Sequence, residues 1–146
     1  MKLTFRDVVV STEAVDKLLA LKPSPLADVS YHIVYSARRI NEALADYRET
    51  LKTVRENYAE QGQDVPEDKH GEFMADVELL LNKEVEVGIR QISMEMIERS
   101  EEKRPGFTIP QDDMYNAWYL FDFLEDECYS ALPRYSAVSQ MTTSTR

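Results

Sequence analysis

The sequence is poor in the residues on which most metal, nucleotide and disulfide chemistry depends. Among its 146 residues there are one cysteine, two histidines and four glycines. Because Cys128 is the only cysteine, an internal disulfide is excluded and a reducing compartment is the simplest expectation. The glycines are scattered, so no glycine-rich loop is available to hold a phosphate: Gly62, Gly71, Gly88 and Gly106.

The chain also has no long apolar run and no excess of basic residues. No segment approaches the roughly 20 apolar residues that a membrane-spanning helix needs. Lys2 and Arg6 interrupt the N-terminal apolar residues, which is unlike a signal peptide. The formal net charge is −10, which disfavours binding to nucleic-acid phosphates. We therefore expect a soluble, intracellular protein that binds neither membranes nor nucleic acid directly.

Residues suited to catalysis or metal binding do not fall into a recognisable pattern. His32 and His70 have no second histidine at helical spacing, and Asp112 and Asp113 are not followed by calcium-loop spacing. Acidic neighbours would raise the pKa of the Cys128 thiol, which opposes its use as a nucleophile. The sequence predicts no enzyme, with no catalytic residue, no cofactor and no metal site.

A regular apolar stripe dominates the middle of the chain and predicts one long helix from Val29 to Tyr58. Its members alternate spacings of four and three: Ile33, Ala37, Ile40, Leu44, Tyr47, Leu51, Val54 and Tyr58. Such a stripe can close on the chain's own elements or seal an oligomer. We favour an intramolecular core, and a homo-oligomer stays open. Basic residues on this helix alternate with acidic ones, which indicates a solvated face with ion pairs rather than a nucleic-acid surface: Arg38, Arg39, Arg48, Lys52 and Arg55.

The elements before and after this helix indicate an α+β fold. We predict a strand over Lys2–Val10, then a short helix that begins at Ser11 or Thr12 and ends before Pro23. A second amphipathic helix, Glu67–Lys83, would form a helical hairpin with the long one. A strand over Glu84–Ile92 would pair with the N-terminal strand and complete a small two-stranded sheet.

The C-terminal third is expected to be mostly helical or irregular. Ser93 should cap a short helical turn, and Glu98–Gly106 should form a charged loop. A last amphipathic helix is predicted over Asp112–Tyr129. Residues 1–135 would then form a single α+β domain, followed by a Ser/Thr-rich tail over residues 136–146 that would be disordered alone.

The last predicted helix combines acidic and aromatic residues and has no Lys or Arg between Pro105 and Pro133. One interpretation is a recognition surface that imitates DNA phosphates or docks on a basic partner. The other is a helix with a buried aromatic face and a solvated acidic face. The candidate partner-binding residues are Asp112, Asp113, Trp118, Tyr119, Asp122, Phe123, Glu125 and Asp126.

Parts of the chain resemble an uncharacterised family of small tailed-bacteriophage proteins. The resemblance extends from about Lys2 to Ile97. It depends on the segments Ala-Arg-Arg-Ile-Asn-Glu-Ala-Leu (37–44), Tyr-Arg-Glu-Thr-Leu (47–51) and Glu-Asn-Tyr-Ala-Glu (56–60). It continues with Phe73, Leu-Leu-Leu-Asn-Lys-Glu-Val-Glu-Val (79–87) and Ile92-Ser93. The family's order is a strand, a long helix, a polar turn, a Phe-bearing helix and a strand, with no catalytic motif.

The resemblance implies a phage-encoded, non-enzymatic interaction protein, most simply a structural or assembly component of the virion. The alternative is an acidic regulator or inhibitor that binds a basic surface of a host protein. The expected partners are thus other virion subunits or a host protein. The expected location is the host cytoplasm, with association to the virion in the first case.

Overall fold

A computed structural model describes residues 1–60 and 62–123, and these residues form the predicted α+β fold. The helices are α1 (Phe5–Leu19), α2 (Ala27–Glu56), α3 (His70–Leu81), α4 (Met94–Lys103) and α5 (Gln111–Asn116). The strands are β1 (Lys2–Thr4), β2 (Glu84–Glu86), β3 (Ile92–Ser93) and β4 (Phe121–Asp122), and short 3-10 helices occupy Glu67–Lys69 and Trp118–Leu120.

The long helix is confirmed as one uninterrupted element of 30 residues. Its burial is uneven along the apolar stripe. Ile33, Ala37, Ile40 and Leu44 are buried, whereas the four later members of the stripe, from Tyr47 onward, are only half-buried. The stripe is therefore core along its first half and partly solvated along its second.

The predicted N-terminal strand is too long, because the chain turns helical at Phe5. The Thr4 amide donates to the Asp7 carboxylate (3.0 Å), and the Asp7 amide donates to Thr4 Oγ1 (3.1 Å). This reciprocal pair is a capping box, which satisfies two amides at a helix start. Ser11 consequently lies inside α1 rather than at its beginning, and it is fully buried.

The predicted pairing of the N-terminal strand with the strand after the hairpin is confirmed. β1 and β2 are antiparallel, with Leu3 opposite Val85. β2 is shorter than predicted, because Ile92 belongs to β3, which pairs in parallel with β4 through Phe121.

Helices α2 and α3 form the predicted helical hairpin. The loop between them brings Tyr58 against α3, where its ring lies 5.9 Å from that of Phe73 and its hydroxyl donates to the Asp76 carboxylate. That hydrogen bond is the main cause of the raised pKa of Tyr58.

Ser93 caps a helix as predicted, since its side chain accepts a hydrogen bond from the Met96 amide at 3.2 Å. The helix is longer than the expected single turn. Residues 98–103, predicted as a charged loop, belong to α4. α4 ends at Lys103, and three residues later Gly106 adopts a positive φ of 89°, which favours glycine.

The predicted helix Asp112–Tyr129 is wrong over residues 117–123. α5 ends at Asn116, and the chain continues as a 3-10 turn and the strand β4. The reason is tertiary: β4 supplies backbone partners to β3, and the apolar side chains from Tyr119 to Phe121 are buried. The rest of that predicted helix, Cys128 and the predicted tail lie outside the described residues.

The chain divides into two compact units, with the divisions inside α1 and α2. The first consists of Met1–Val10 and Arg38–Gly88, and contains the β1–β2 sheet and α3. The second consists of Ser11–Ala37 with the described residues from 89 to 123, and contains β3, β4, α4 and α5. The single domain expected over residues 1–135 stays a prediction.

Candidate interaction surface

The structure separates the predicted partner-binding residues instead of presenting them together on one helix. Asp112 is exposed, and Trp118 and Asp122 are half-buried. Asp113, Tyr119 and Phe123 are buried, with at most 5% of their surface exposed, so they cannot form part of an exposed surface in this conformation. Glu125 and Asp126 lie outside the described residues. Binding by the accessible members stays a prediction.

Tyr119 is an internal anchor of the second unit. Its ring is fully buried, and its hydroxyl shares a hydrogen bond with Ser11 Oγ, which is also buried. Its carbonyl accepts a hydrogen bond from Gln91 Nε2 at 3.2 Å. The residue therefore links α1 and the segment before β3, and its polar groups are engaged inside the unit.

Asp113 is a buried carboxyl whose environment disfavours its charge. Burial raises the pKa of Asp113 above its ordinary value, and the Lys17 ammonium only partly opposes this effect. Among the described residues, no donor makes a hydrogen bond to its carboxylate. The predicted acidic surface therefore has one carboxyl fewer, because Asp113 lies inside the unit.

An exposed aromatic face occupies the N-terminal part of α2. Tyr31, Val34 and Tyr35 follow one another at spacings of three and one, which places them on the side of the helix away from Ile33 and Ala37. Tyr31 is 54% exposed and Val34 is 44% exposed, while Tyr35 is half-buried. Large apolar side chains held together in solvent are unusual on a monomer surface and are typical of binding sites.

An arginine from a distant part of the chain lies against these rings. The Arg90 guanidinium carbon is 4.7 Å from the centroid of the Tyr35 ring and 5.5 Å from that of Tyr31. These distances are within the range of cation–π attraction, which is strongest when the cation is partly desolvated. We call Tyr31, Val34, Tyr35 and Arg90 together the Arg90 platform.

Buried and half-buried polar groups hold the backbone of Arg90 on α2. The Arg90 amide donates to Ser36 Oγ at 2.9 Å, and the Ser36 hydroxyl donates to the Arg90 carbonyl at 3.4 Å. One residue later, His32 Nδ1 donates to the Gln91 carbonyl at 2.9 Å. Ser36 is fully buried, so this attachment is shielded from water. The guanidinium is therefore presented from a fixed backbone.

A small apolar cavity of about 50 Å³ adjoins the platform at Val34. It lies between the end of α1 and the start of α2, and Leu18, Leu19, Leu21 and Pro25 contribute to its walls. Leu19 is itself 47% exposed. The apolar surface thus continues from the platform into a depression large enough for a few carbon atoms of a partner side chain.

The first unit has a wider cleft of about 280 Å³ at the end of α2. Arg48, Lys52 and Arg55 line it together with Glu56 and Glu60, so charges of both signs face the same space. The expected ion pairs along α2 form only in part. Arg39 pairs with Glu42 at 3.4 Å, but no described carboxylate lies within 4.0 Å of Arg48 or Lys52.

The described residues contain no group of three or more His, Cys, Asp or Glu side chains placed to hold a metal ion. Two of the buried hydroxyls in the second unit bond to backbone: Ser100 Oγ accepts from the Leu26 amide at 3.1 Å, much as Ser36 accepts from Arg90.

The Arg90 platform was not predicted from the sequence, although its three residues on α2 follow a helical spacing. The positions 31, 34 and 35 repeat at helical spacing opposite the core stripe, so a second apolar face could have been read from the sequence. The position of Arg90 could not be predicted from the sequence, because it depends on long-range hydrogen bonds. The Arg90 amide bonds to Ser36, and the carbonyl of the next residue, Gln91, bonds to His32.

Among residues 1–60 and 62–123, no helix has the length and apolar character needed to cross a membrane. No protein-family model, curated protein or solved structure matches this chain.

Proposed function

We propose that this protein is a non-enzymatic interaction protein that docks on another protein through the Arg90 platform. The observation behind the proposal is the exposed pair Tyr31 and Val34 on α2, together with an arginine that lies against the Tyr31 and Tyr35 rings. Tyrosine and arginine are enriched among the residues that dominate binding energy at protein interfaces. Arg90 loses less conformational freedom on binding than an unrestrained arginine, because its backbone is fixed and its guanidinium already lies against two rings.

We further propose that the partner belongs to a phage particle, which makes this chain a structural or assembly component of the virion. The support is the resemblance to small tailed-phage proteins, which extends over about residues 2–97. Under this proposal the protein acts in the host cytoplasm during assembly and remains with the particle.

The first experiment is mass spectrometry of purified particles that carry either the original chain or the double variant Tyr31→Ser, Val34→Ser. We expect the original protein in stoichiometric amount and the variant reduced by about tenfold or more, since two exposed apolar contacts are lost. Leu79→Ser is the matched control, because Leu79 is also an exposed apolar residue, at 73%, and lies in the first unit. Absence of the original protein from particles would refute the virion assignment, and equal incorporation of the double variant would refute the platform.

The alternative is an acidic regulator that binds a basic surface of a host protein. The observation that favours it is the accessibility of Asp112 and, in part, Asp122 within the second unit. It would require salt-sensitive binding that is lost in Asp112→Lys, Asp122→Lys. Binding unchanged by this charge reversal would eliminate it.

A further inference from the structure

We infer that the Arg90 platform recognises a carboxylate: it binds a partner segment in which an Asp or Glu side chain stands beside an apolar residue. The carboxylate would accept hydrogen bonds from the Arg90 guanidinium, and the apolar neighbour would pack on Tyr31 and Val34. This inference rests on the proposed function, since it specifies the chemistry of the partner that docks there.

The hydrogen-bonding capacity of Arg90 is the first argument. A guanidinium has five N–H donors in a planar fork. Within residues 1–60 and 62–123, no carboxylate lies within ion-pairing distance of Arg90, and no acceptor takes a hydrogen bond from its side chain. By contrast, Arg99 in the same unit pairs with Asp28 at 3.0 Å. The Arg90 side chain is therefore exposed and lies against two aromatic rings, and its N–H donors make no hydrogen bond with the described residues.

The fixed position of Arg90 is the second argument. Its amide and carbonyl both bond to the buried Ser36 hydroxyl, and its guanidinium lies over the Tyr35 ring. An arginine that is already held in place loses little conformational freedom when a ligand binds. The planar fork fits both oxygens of a carboxylate, which gives a charge-assisted and often bidentate contact.

The surroundings of Arg90 favour a protein carboxylate over other anions. Tyr31, whose ring lies under Arg90, exposes apolar surface there. Val34 exposes more apolar surface three residues further along α2, and the small cavity at Val34 and Leu19 continues it. A phosphate surrounded by water gains nothing from such neighbours. A nucleic-acid backbone would in addition meet a chain of net charge −10. An acidic residue flanked by an apolar one satisfies both the cation and the apolar face.

Charge also argues against a second copy of this chain as the occupant. Two copies would each carry a net charge of −10 and would repel each other over about a Debye length. A partner that offers one carboxylate within an apolar segment and is not itself strongly acidic does not meet this repulsion. The inferred occupant is therefore a different protein.

The test uses the full chain with ¹³C-labelled methyl groups and ¹⁵N-labelled arginine, titrated with blocked dipeptides and followed by NMR. The probes are acetyl-Leu-Glu-amide and its neutral match acetyl-Leu-Gln-amide. With the first probe, we expect saturable shifts of the Arg90 Nε–Hε signal and the Val34 methyl signals. We expect binding of the second to be about tenfold weaker, which corresponds to the loss of one charged hydrogen-bonding contact.

Three variants sharpen the test. Arg90→Gln should weaken acetyl-Leu-Glu-amide by about tenfold, to the level of the neutral probe, whereas Arg90→Lys should recover only part of the loss because lysine has no planar fork. Arg104→Gln is the matched control, since Arg104 is exposed in the same unit and makes no ion pair with described residues. The same loss of charge there should leave binding unchanged. Because Ser36 holds the Arg90 backbone, the Arg90 variants should keep their unfolding midpoints.

Several outcomes would overturn the inference. Equal binding of the Glu and Gln probes, or unchanged binding in Arg90→Gln, would show that the platform does not recognise a carboxylate. Inorganic phosphate that shifts the Arg90 signal as strongly at equal ionic strength would show a general anion site. Self-association that disappears in Arg90→Gln would identify a second copy as the occupant. Different results would contradict the proposed function: particles that lack the protein, or particles that incorporate the Tyr31→Ser, Val34→Ser variant in normal amount.

Discussion

The two units of this protein bury polar groups in different ways. In the second unit, the hydroxyls of Ser11, Ser36 and Ser100 are fully buried and bonded to residues far away in the sequence. In the first unit, the side-chain contacts lie at or near the surface, as between Arg6 and Glu78. Leaving a buried hydroxyl without a hydrogen-bond partner is unfavourable. Such a bond therefore restrains the two segments of the chain that it joins.

This difference explains where the candidate surface lies. The Arg90 platform belongs to the second unit, where Ser36 and His32 fix the segment that presents Arg90. The cleft in the first unit is lined by long charged side chains, most of them on α2 and exposed, and ordering such side chains costs conformational entropy. A surface held by buried polar groups is better prepared for specific binding than one formed by long exposed side chains.

The largest effect should come from the centre of the second unit. We expect Tyr119→Ala to reduce the free energy of unfolding by about 3–5 kcal/mol, because it opens a cavity and leaves Ser11 without its Tyr119 partner. Leu79→Ala in the first unit should change it by less than about 0.5 kcal/mol, since that side chain is 73% exposed. Urea unfolding of both variants measures the contrast, and similar effects would contradict it.

Replacing Asp113, the buried carboxyl of the second unit, should change the free energy of unfolding by a smaller amount and in the opposite direction. Burial raises the pKa of Asp113 above its value in the unfolded chain. The folded state then binds the proton more tightly, so this group's contribution is favourable below the unfolded pKa and is lost as pH rises through the raised pKa. At pH 7 the variant Asp113→Asn should therefore be more stable by about 1 kcal/mol.

Urea unfolding at several pH values tests the sign. The advantage of Asp113→Asn should shrink as the pH falls toward about 4, the ordinary range of an aspartate pKa. Asp112→Asn is the control, because its exposed neighbouring carboxyl should show little change at any pH. A variant that is less stable than the original at pH 7 would mean that the charged carboxylate is favourable where it lies.

In the first unit, the capping box at the start of α1 should contribute to the free energy of unfolding. We expect Thr4→Ala to lower the free energy of unfolding by about 1 kcal/mol, because the Asp7 amide loses its side-chain acceptor. Thr53→Ala is a suitable comparison. Thr53 bonds to a carbonyl inside α2, where a threonine adds little to helix stability. Equal effects of the two substitutions, measured by urea unfolding, would contradict a helix start at Phe5.

The N-terminal segment shows how a local preference can be overruled. Val8, Val9 and Val10 favour a strand, yet they lie in α1. The capping box starts the helix, and the buried positions Phe5, Val8, Ser11, Val15 and Leu18 then follow a helical period. Ser11 interrupts the apolar pattern in the sequence but not in the structure, because Tyr119 supplies its hydrogen bond.

The sequence by itself determined the α+β class, the continuous helix α2, the cap at Ser93 and the pairing of β1 with β2. The first three follow from local chemistry or from a repeat long enough to define one face, and the pairing follows because an isolated strand leaves its backbone groups unpaired. Only the tertiary structure decided that the chain leaves the helix after Asn116, that Tyr119 and Phe123 are buried, and that Arg90 lies on the Tyr31 and Tyr35 rings. These features depend on hydrogen bonds and packing between residues distant in the chain, for which the sequence period has no signal.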